Sequence, residues 1–417
     1  MSKHDSKLRR FWRKLGPGLI TGASDDDPSG IATYSQAGAQ FGLSTLWTAL
    51  LTFPLMYALQ EMCARIGIVT KKGLAAVVKQ YYPRWVIWVL IIASAPAMIL
   101  NIGANIAGMG AAAQMLFPQI HAAWFSIGFA LILIAVMIRL NYRTFAKLMK
   151  YLCLSLLVYF IVPFLTKQDI GAILKNSLWP QITFSKAFMM VLVGILGTTL
   201  SPYLFFWQTS MEVESIKEVK SPEVLEKYIL PRVRLDVGSG MLFSNLVMYF
   251  ILLTSGSVLF QNNIGEIETV SDAAAALRPL AGDASYLLFA IGIIGTGLIA
   301  IPVLAGSLSY MVAELTSWNE GFDKRFFEAR EFYLVIIIAT LAGLAIQLIG
   351  ISPVKALLYT AVLYGITAPI LIALLLHLCN NKSIMQGFTN SKVSNMLGGI
   401  ALLLMTVAAL GLIWFLV

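Results

Sequence analysis

The chain has 417 residues, of which 58% are hydrophobic and only 12% charged, with a mean hydropathy of +0.79. That excludes a soluble domain, which needs far more polar surface to cover its core. The net charge of +9 raises nucleic acid as a partner, but the placement of the basic residues along the chain argues against it.

Residues 1–15 read as a basic tail. Its charged start lacks the short apolar core and small-residue cleavage site of a signal peptide. From residue 16 onward, apolar runs long enough to cross about 30 Å of hydrocarbon predict an all-α membrane protein of eleven helices. They lie near 16–41, 45–67, 85–117, 122–138, 148–166, 187–213, 233–260, 283–314, 333–349, 353–379 and 396–417. With that count, the tail and the even-numbered connections share one side. Of the 30 Lys and Arg, only Lys167, Lys175, Lys186, Arg278 and Lys355 fall on the other side. Basic residues are retained in cytoplasmic loops, so the expectation is a cytoplasmic N-terminus in the cell membrane, with anionic lipid headgroups as the partner of the basic face. No nucleic acid and no obligatory protein partner is implied. Cys63, Cys153 and Cys379 sit singly in apolar segments and read as buried small hydrophobes.

No linker divides the chain, so residues 16–417 form one transmembrane domain. Two helices are interrupted at mid-span. The first carries Gly-Pro-Gly-Leu-Ile-Thr-Gly-Ala-Ser-Asp-Asp-Asp-Pro-Ser-Gly at 16–30, and the sixth carries Gly-Ile-Leu-Gly-Thr-Thr-Leu-Ser-Pro-Tyr at 194–203. Proline removes a backbone donor and frees a carbonyl one turn earlier, which is tolerated at membrane depth only where the freed groups line a wet cavity or hold a solute. The breaks lie five helices apart. This is the spacing expected of two inverted five-helix repeats (about 16–166 and 187–379, with an extra helix at about 396–417), and paired broken helices are the best pointer to a transporter site.

Asp25, Asp26 and Asp27 are consecutive at the first break. One ionised Asp near a helix centre costs about 2.5 to 3.5 kcal/mol on insertion scales, so three call for a polar cavity or a bound cation. A capping role at the outer half-helix is the alternative for one or more of them. Hard divalent cations favour carboxylate, carbonyl and hydroxyl oxygens.

At these residues the chain resembles the natural resistance-associated macrophage protein (NRAMP) family of divalent-metal transporters. The resemblance continues through Gln60–Thr70 with Gly73-Leu74-Ala75, and through residues 367–385 with Ala368-Pro369 and Asn380–Met385. It implies a LeuT-type fold of inverted repeats. It also places Asp27 on the family's metal-binding aspartate. The departures are informative. The family's glycine and asparagine after the proline become Ser29 and Gly30. Its Met-Pro-His on the sixth helix becomes Ser201-Pro202-Tyr203, and Gln208 takes the place of a second histidine. Where the family has acids on the third helix, this chain has Asn101 and Asn105.

Loss of the soft methionine thioether and gain of hydroxyls favour a harder ion. The pattern is similar to the divergent NRAMP-related magnesium transporters, which implies Mg²⁺ as substrate, Mn²⁺ as a second one, alternating access and no proton coupling. Asp27 is expected to supply the main charge and Asp26 to assist it, with Asp25 capping or facing water. Ser29, Gly30, Thr198, Thr199 and Ser201, with nearby carbonyls, are expected to complete a loose metal shell. No cofactor and no catalytic residue is implied. Two other classes stay open. A same-fold carrier of an organic solute could use the aromatic run Tyr203, Phe205, Phe206 and Trp207. A non-transporting sensor or enzyme is the remaining class.

Overall fold

The computed structural model describes residues 16–139, 160, 169–215, 229–277, 282, 285–346 and 350–416. The basic tail and, apart from residue 160, the predicted fifth helix lie outside them. Among the described residues the secondary structure is helical, without strands.

Prolines punctuate the first helix. α1 (Pro17–Asp25) stops short of Pro28, which opens α2 (Pro28–Phe41). A proline at the first helical position forfeits only an N–H that lacks a partner there anyway. After a short 3₁₀ turn, α3 (Trp47–Thr70) leaves α2 at a bend of 106°. α4 (Leu74–Tyr81) is a short amphipathic helix that precedes α5 (Arg84–Leu116) and α6 (Ala122–Arg139). α7 (Ile170–Leu178) leads to the second broken span, α8 (Lys186–Thr199) and α9 (Pro202–Ser215). The chain continues as α10 (Leu230–Val258), α11 (Ser285–Thr316), α12 (Arg330–Ile346), α13 (Pro353–Asn380) and α14 (Lys392–Leu416).

Seven described spans are long and apolar enough to cross a bilayer, with α8–α9 counted as one. The α1–α2 pair, α3 and the 17-residue α12 complete ten of the eleven predicted segments. The chain is an integral membrane protein. α12 begins three residues earlier than the hydropathy predicted, and α4 and α7 were not anticipated, since neither is long enough to carry a membrane signal.

Burial separates the inner helices from the lipid-facing ones. The apolar window of α8–α9 is 94% buried, against 22% for α6 and 33% for α14. α1 and α2 both run along α10, while α9 runs along α3. α5 packs on α6 as α11 packs on α12, and α5 crosses α11. These pairs are equivalent when the first five spans are exchanged for the next five, as inverted repeats require.

Glycine lets the broken helices reach their neighbours. A Cβ on Gly22 of α1 would lie 2.1 Å from the Gly240 carbonyl oxygen of α10, and one on Gly197 of α8 would lie 2.1 Å from the Ala361 carbonyl oxygen of α13. Such backbone-to-backbone packing is how membrane helices associate closely. Asp236, on α10, fixes the start of α1: its carboxylate accepts from the Gly16 N–H (2.6 Å) and the Gly18 N–H (2.8 Å).

Candidate metal site at the two helix breaks

The breaks meet inside the bundle. A Cβ on Gly30 would sit 3.3 Å from the Asp25 carbonyl oxygen and 3.4 Å from Thr198 Oγ1, so one end of each broken helix flanks that residue. All of Asp25, Asp26, Asp27, Ser29, Thr198, Thr199 and Ser201 are at most 1% exposed, and Gly30 is buried. α1 and α8 both end at these breaks, and a helix C-terminus carries partial negative charge.

The three aspartates stand in different surroundings. Asp27 is the N-cap of α2, and its Oδ1 accepts from the Gly30 N–H (2.8 Å) and the Ser29 hydroxyl (2.5 Å). Its Oδ2 accepts from Asn101 Nδ2 (2.9 Å) and Asn105 Nδ2 (3.0 Å), one turn apart on α5. Asp25 accepts one bond, from the Ser244 hydroxyl of α10 (2.9 Å), and its other oxygen has no partner. Neither oxygen of Asp26 has a protein partner. Among the described residues, no Lys or Arg pairs with any of the three, whereas Glu61 pairs with Arg65 and Arg234. Capping therefore falls to Asp27, while Asp25 neither caps nor faces water, against the expectation from the sequence.

The second break is neutral. Ser201 donates to the Thr198 carbonyl (2.5 Å), whose i+4 residue is Pro202 and has no N–H, and to the Gly197 carbonyl (3.1 Å) in the last turn of α8. Thr199 donates to the Ile195 carbonyl and meets the Tyr34 hydroxyl at 3.1 Å. Thr198 and Ser29 face each other across the two breaks at 3.4 Å. The Tyr203 hydroxyl donates to the Ser24 carbonyl (2.7 Å) at the end of α1.

Sequence reasoning treated Asn101 and Asn105 as missing acids. The structure makes them donors that hold Asp27 in place. Asn101 Oδ1 accepts from Thr360 of α13 (3.3 Å), but Asn105 Oδ1 has no partner. Buried acceptors without a partner around the first break include the oxygens of Asp26, one oxygen of Asp25 and the amide oxygen of Asn105. A buried acceptor without a donor costs about 1 to 3 kcal/mol, more when charged, and a hard cation removes that cost. Among the described residues, no group of three or more His, Cys, Asp or Glu side chains is arranged to chelate an ion. Hydroxyl, amide and carbonyl oxygens or water would have to complete any shell.

Polar contacts leave the breaks in one direction. Thr21 donates to Gln208 Oε1 (2.5 Å), and Gln208 Nε2 donates to the buried Glu212 (2.8 Å). A small apolar cluster joins Ala32 of α2, Ala104 of α5 and Leu357 of α13. Two turns further along α5, Ala111 and Gln114 line a cavity of about 380 Å³ with Glu268 and Ser352. Tyr203, Phe205, Phe206 and Trp207 are at most 1% exposed and pack in the core, Tyr203 on Tyr364 and Trp207 on Phe322. Glu61 and Glu314 are held differently: Glu61 pairs with two arginines, whereas Glu314 accepts from the Ser210 hydroxyl and the Ala76 N–H. Cys63 and Cys379 are buried, as expected, and Cys153 lies outside the described residues.

A profile of the natural resistance-associated macrophage protein-like family matches residues 18–415. Among curated proteins, the chain is 26% identical over 399 residues to the divalent metal cation transporter MntH of Yersinia enterocolitica, covering 93% of this chain and 91% of that one. It is 26% identical over 392 residues to the MntH of Chromohalobacter salexigens, covering 93% and 88%. Among solved structures, the manganese transporter of Eremococcus coleocola superposes with a TM-score of 0.74 at 18% identity, covering 98% of this chain and 88% of that one. The fold is shared, including its inverted repeats.

Proposed function

Because the chain belongs to the natural resistance-associated macrophage protein-like family, we propose that it is a secondary transporter of divalent metal cations that carries Mg²⁺, and Mn²⁺ as a second substrate. One observation carries the reading: three adjacent carboxylates are fully buried at a helix break, two of them retaining oxygens without a donor, and no basic side chain among the described residues compensates them. A charged group deep in a membrane protein marks an ion pathway by default.

The curated relatives are named for divalent metals and the solved one for manganese. Mg²⁺ is preferred here because the donor set is hard. Ser201 stands where the family places a thioether, and the remaining donors are carboxylates, hydroxyls, amides and carbonyls. Mg²⁺ also keeps several waters and accepts few protein ligands, which suits a site without a three-residue chelate. Asp26 and Asp25 supply direct oxygens, with Asn105 Oδ1 beside them. Asp27, already holding four hydrogen bonds, sets negative charge at the break and becomes a ligand when Ser29 or an amide exchanges for the ion. Ser29, Gly30, Thr198, Thr199 and Ser201 line the shell.

Transport follows by alternating access. The half-helices rock so that the site opens first past Leu357 and then along Thr21, Gln208 and Glu212. The driving force is the ion gradient and the membrane potential, about 2.3 kcal/mol per charge per 100 mV. No proton moves with the ion, since α5 presents amides rather than acids and no histidine stands at either break. The N-terminus is cytoplasmic and the membrane is the cell membrane.

The test is reconstitution into liposomes loaded with Mg²⁺- or Mn²⁺-sensitive dye, with native protein beside Asp27→Ala. Uptake by the native protein alone is expected, and equal uptake by both would remove Asp27 from the site. A pH dye in the same vesicles is expected to stay flat, and ion-driven acidification would overturn the uncoupled mechanism. Melting curves without any metal-dependent shift would favour an organic solute.

A further inference from the structure

A second cavity, of about 210 Å³, opens between the end of α3, the start of α10 and the loop joining α13 to α14. Arg65, Arg234, Thr389, Ser391 and Ser394 give it a polar lining. It takes no part in the site at the breaks.

The two arginines are presented differently. Arg65 is 4% exposed, and its guanidinium is held by Glu61, by the Phe388 carbonyl (2.7 Å) and by Asn390 Oδ1 (2.7 Å). Arg234 donates to Glu61 only through Nε (3.1 Å), and its side chain is 52% exposed. Among the described residues, its two terminal NH₂ groups meet no acceptor. Glu61 cancels one of the two positive charges, so the lining keeps one net positive charge beside open donors. Ser391 and Ser394 bring hydroxyls 3.0 Å apart at the start of α14. The surroundings are apolar and exposed: Leu235 follows Arg234 on α10 at 54% exposure, and Val393 and Met396 flank Ser394 at 60% and 57%.

We propose that this cavity binds the phosphate of an anionic phospholipid headgroup. An arginine fork with hydroxyls around it matches phosphate oxygens in geometry and charge. The exposed Leu235, Val393 and Met396 give the acyl chains an apolar track beside it. A free phosphate would use the same donors without the track, so the lipid is the better fit. The cavity lies at the end of the bundle where Arg65, Arg232, Arg234, Lys382 and Lys392 gather, a distribution that attracts anionic lipid.

The experiment uses the full chain in neutral detergent. Native mass spectrometry counts retained phosphatidylglycerol, and melting curves are taken with phosphatidylglycerol, phosphatidylcholine or inorganic phosphate added. Phosphatidylglycerol is expected to stay bound and to raise the melting temperature, and phosphatidylcholine to do neither. Arg234→Gln removes a charge-assisted contact at a half-exposed position and is expected to weaken phosphatidylglycerol binding about tenfold. Ser394→Asp, which adds negative charge without touching either arginine, is expected to weaken it similarly and serves as the second variant should Arg234→Gln fold poorly. Equal responses to the two lipids, or native binding in both variants, would overturn the proposal. A full response to inorganic phosphate alone would overturn the assignment to lipid.

Discussion

The break after α1 and the break after α8 are built alike. Each ends a half-helix in the core, restarts on a proline, and is seated by a glycine whose missing side chain lets it meet a partner backbone, Gly22 on Gly240 and Gly197 on Ala361. Their chemistry is opposite. The first holds Asp25, Asp26 and Asp27 in succession, while the second offers the hydroxyls of Thr198, Thr199 and Ser201 and no ionisable group before Tyr203. The symmetry of the fold duplicates a geometry that exposes backbone oxygens, and the sequence puts the charge on one side only. Acids on both sides would multiply like-charge repulsion in a low-dielectric interior.

The largest expected effect comes from removing charge on the acidic side without disturbing its scaffold. Asp26 makes no hydrogen bond in the protein, so Asp26→Asn leaves the α2 cap intact. A unit charge 4 Å from its partner is worth about 4 kcal/mol at an effective dielectric of about 20, so ion uptake in proteoliposomes is expected to fall at least about 100-fold. The ion-free protein is expected to melt no lower than native, since a buried carboxylate without a donor costs stability. Unchanged uptake would show that the charge asymmetry has nothing to do with the ion.

The shared scaffold is tested at its glycines. A methyl at Gly22 or Gly197 would have to fit 2.1 Å from a carbonyl oxygen, so the helices must part. Gly22→Ala and Gly197→Ala are each expected to cost about 1 to 3 kcal/mol, the range for overpacking, read as a lower melting temperature in detergent. A loss at only one of the two would mean that the breaks are seated by different means.

Much of this was legible in the sequence, and the gaps have physical causes. Pro28 and Pro202 located both breaks because each comes with small and polar residues at mid-span; proline alone does not end a helix in this chain, since Pro54, Pro96, Pro302 and Pro369 lie inside continuous ones. The hydroxyls and carboxylates at the breaks could be read off directly. Which aspartate does what could not, because that depends on donors arriving from elsewhere: Asn101 and Asn105 from α5, and Ser244 from α10. No spacing rule links residue 27 to residues 101 and 105. The asparagines registered only as an absence of acid, whereas in the fold they supply N–H groups. Gln208 and Glu212, i and i+4 on α9, could have been paired from helical spacing, though their link to Thr21 could not.

The neutral side is expected to set selectivity more than rate. Ser201→Met restores a thioether beside the first break, in place of a hydroxyl that currently serves the Gly197 and Thr198 carbonyls. A soft donor favours Mn²⁺ over Mg²⁺. One good contact is worth about 1.4 kcal/mol per tenfold, so the Mn²⁺-to-Mg²⁺ uptake ratio is expected to rise by about tenfold. An unchanged ratio would mean that the ion does not approach the second break.

The smallest expected effect probes how the charged side is held from outside itself. Asn105 donates to Asp27 Oδ2, an oxygen that Asn101 also reaches, and its own Oδ1 is unsatisfied. Asn105→Ala removes one of two donors, worth about 1.5 kcal/mol for a bond to a charged group, and the remaining amide retains part of it. A threefold to tenfold decrease in apparent Mg²⁺ affinity is therefore expected, about that bond or somewhat less, with melting temperature little changed. Asn105→Asp is the sharper variant. It keeps the volume, replaces the donor by an acceptor opposite Asp27, and is expected to lower uptake further through repulsion. If Asn105→Asp instead matched native uptake, the α5 amides would have no part in holding Asp27, and the acidic break would stand on its own cap alone.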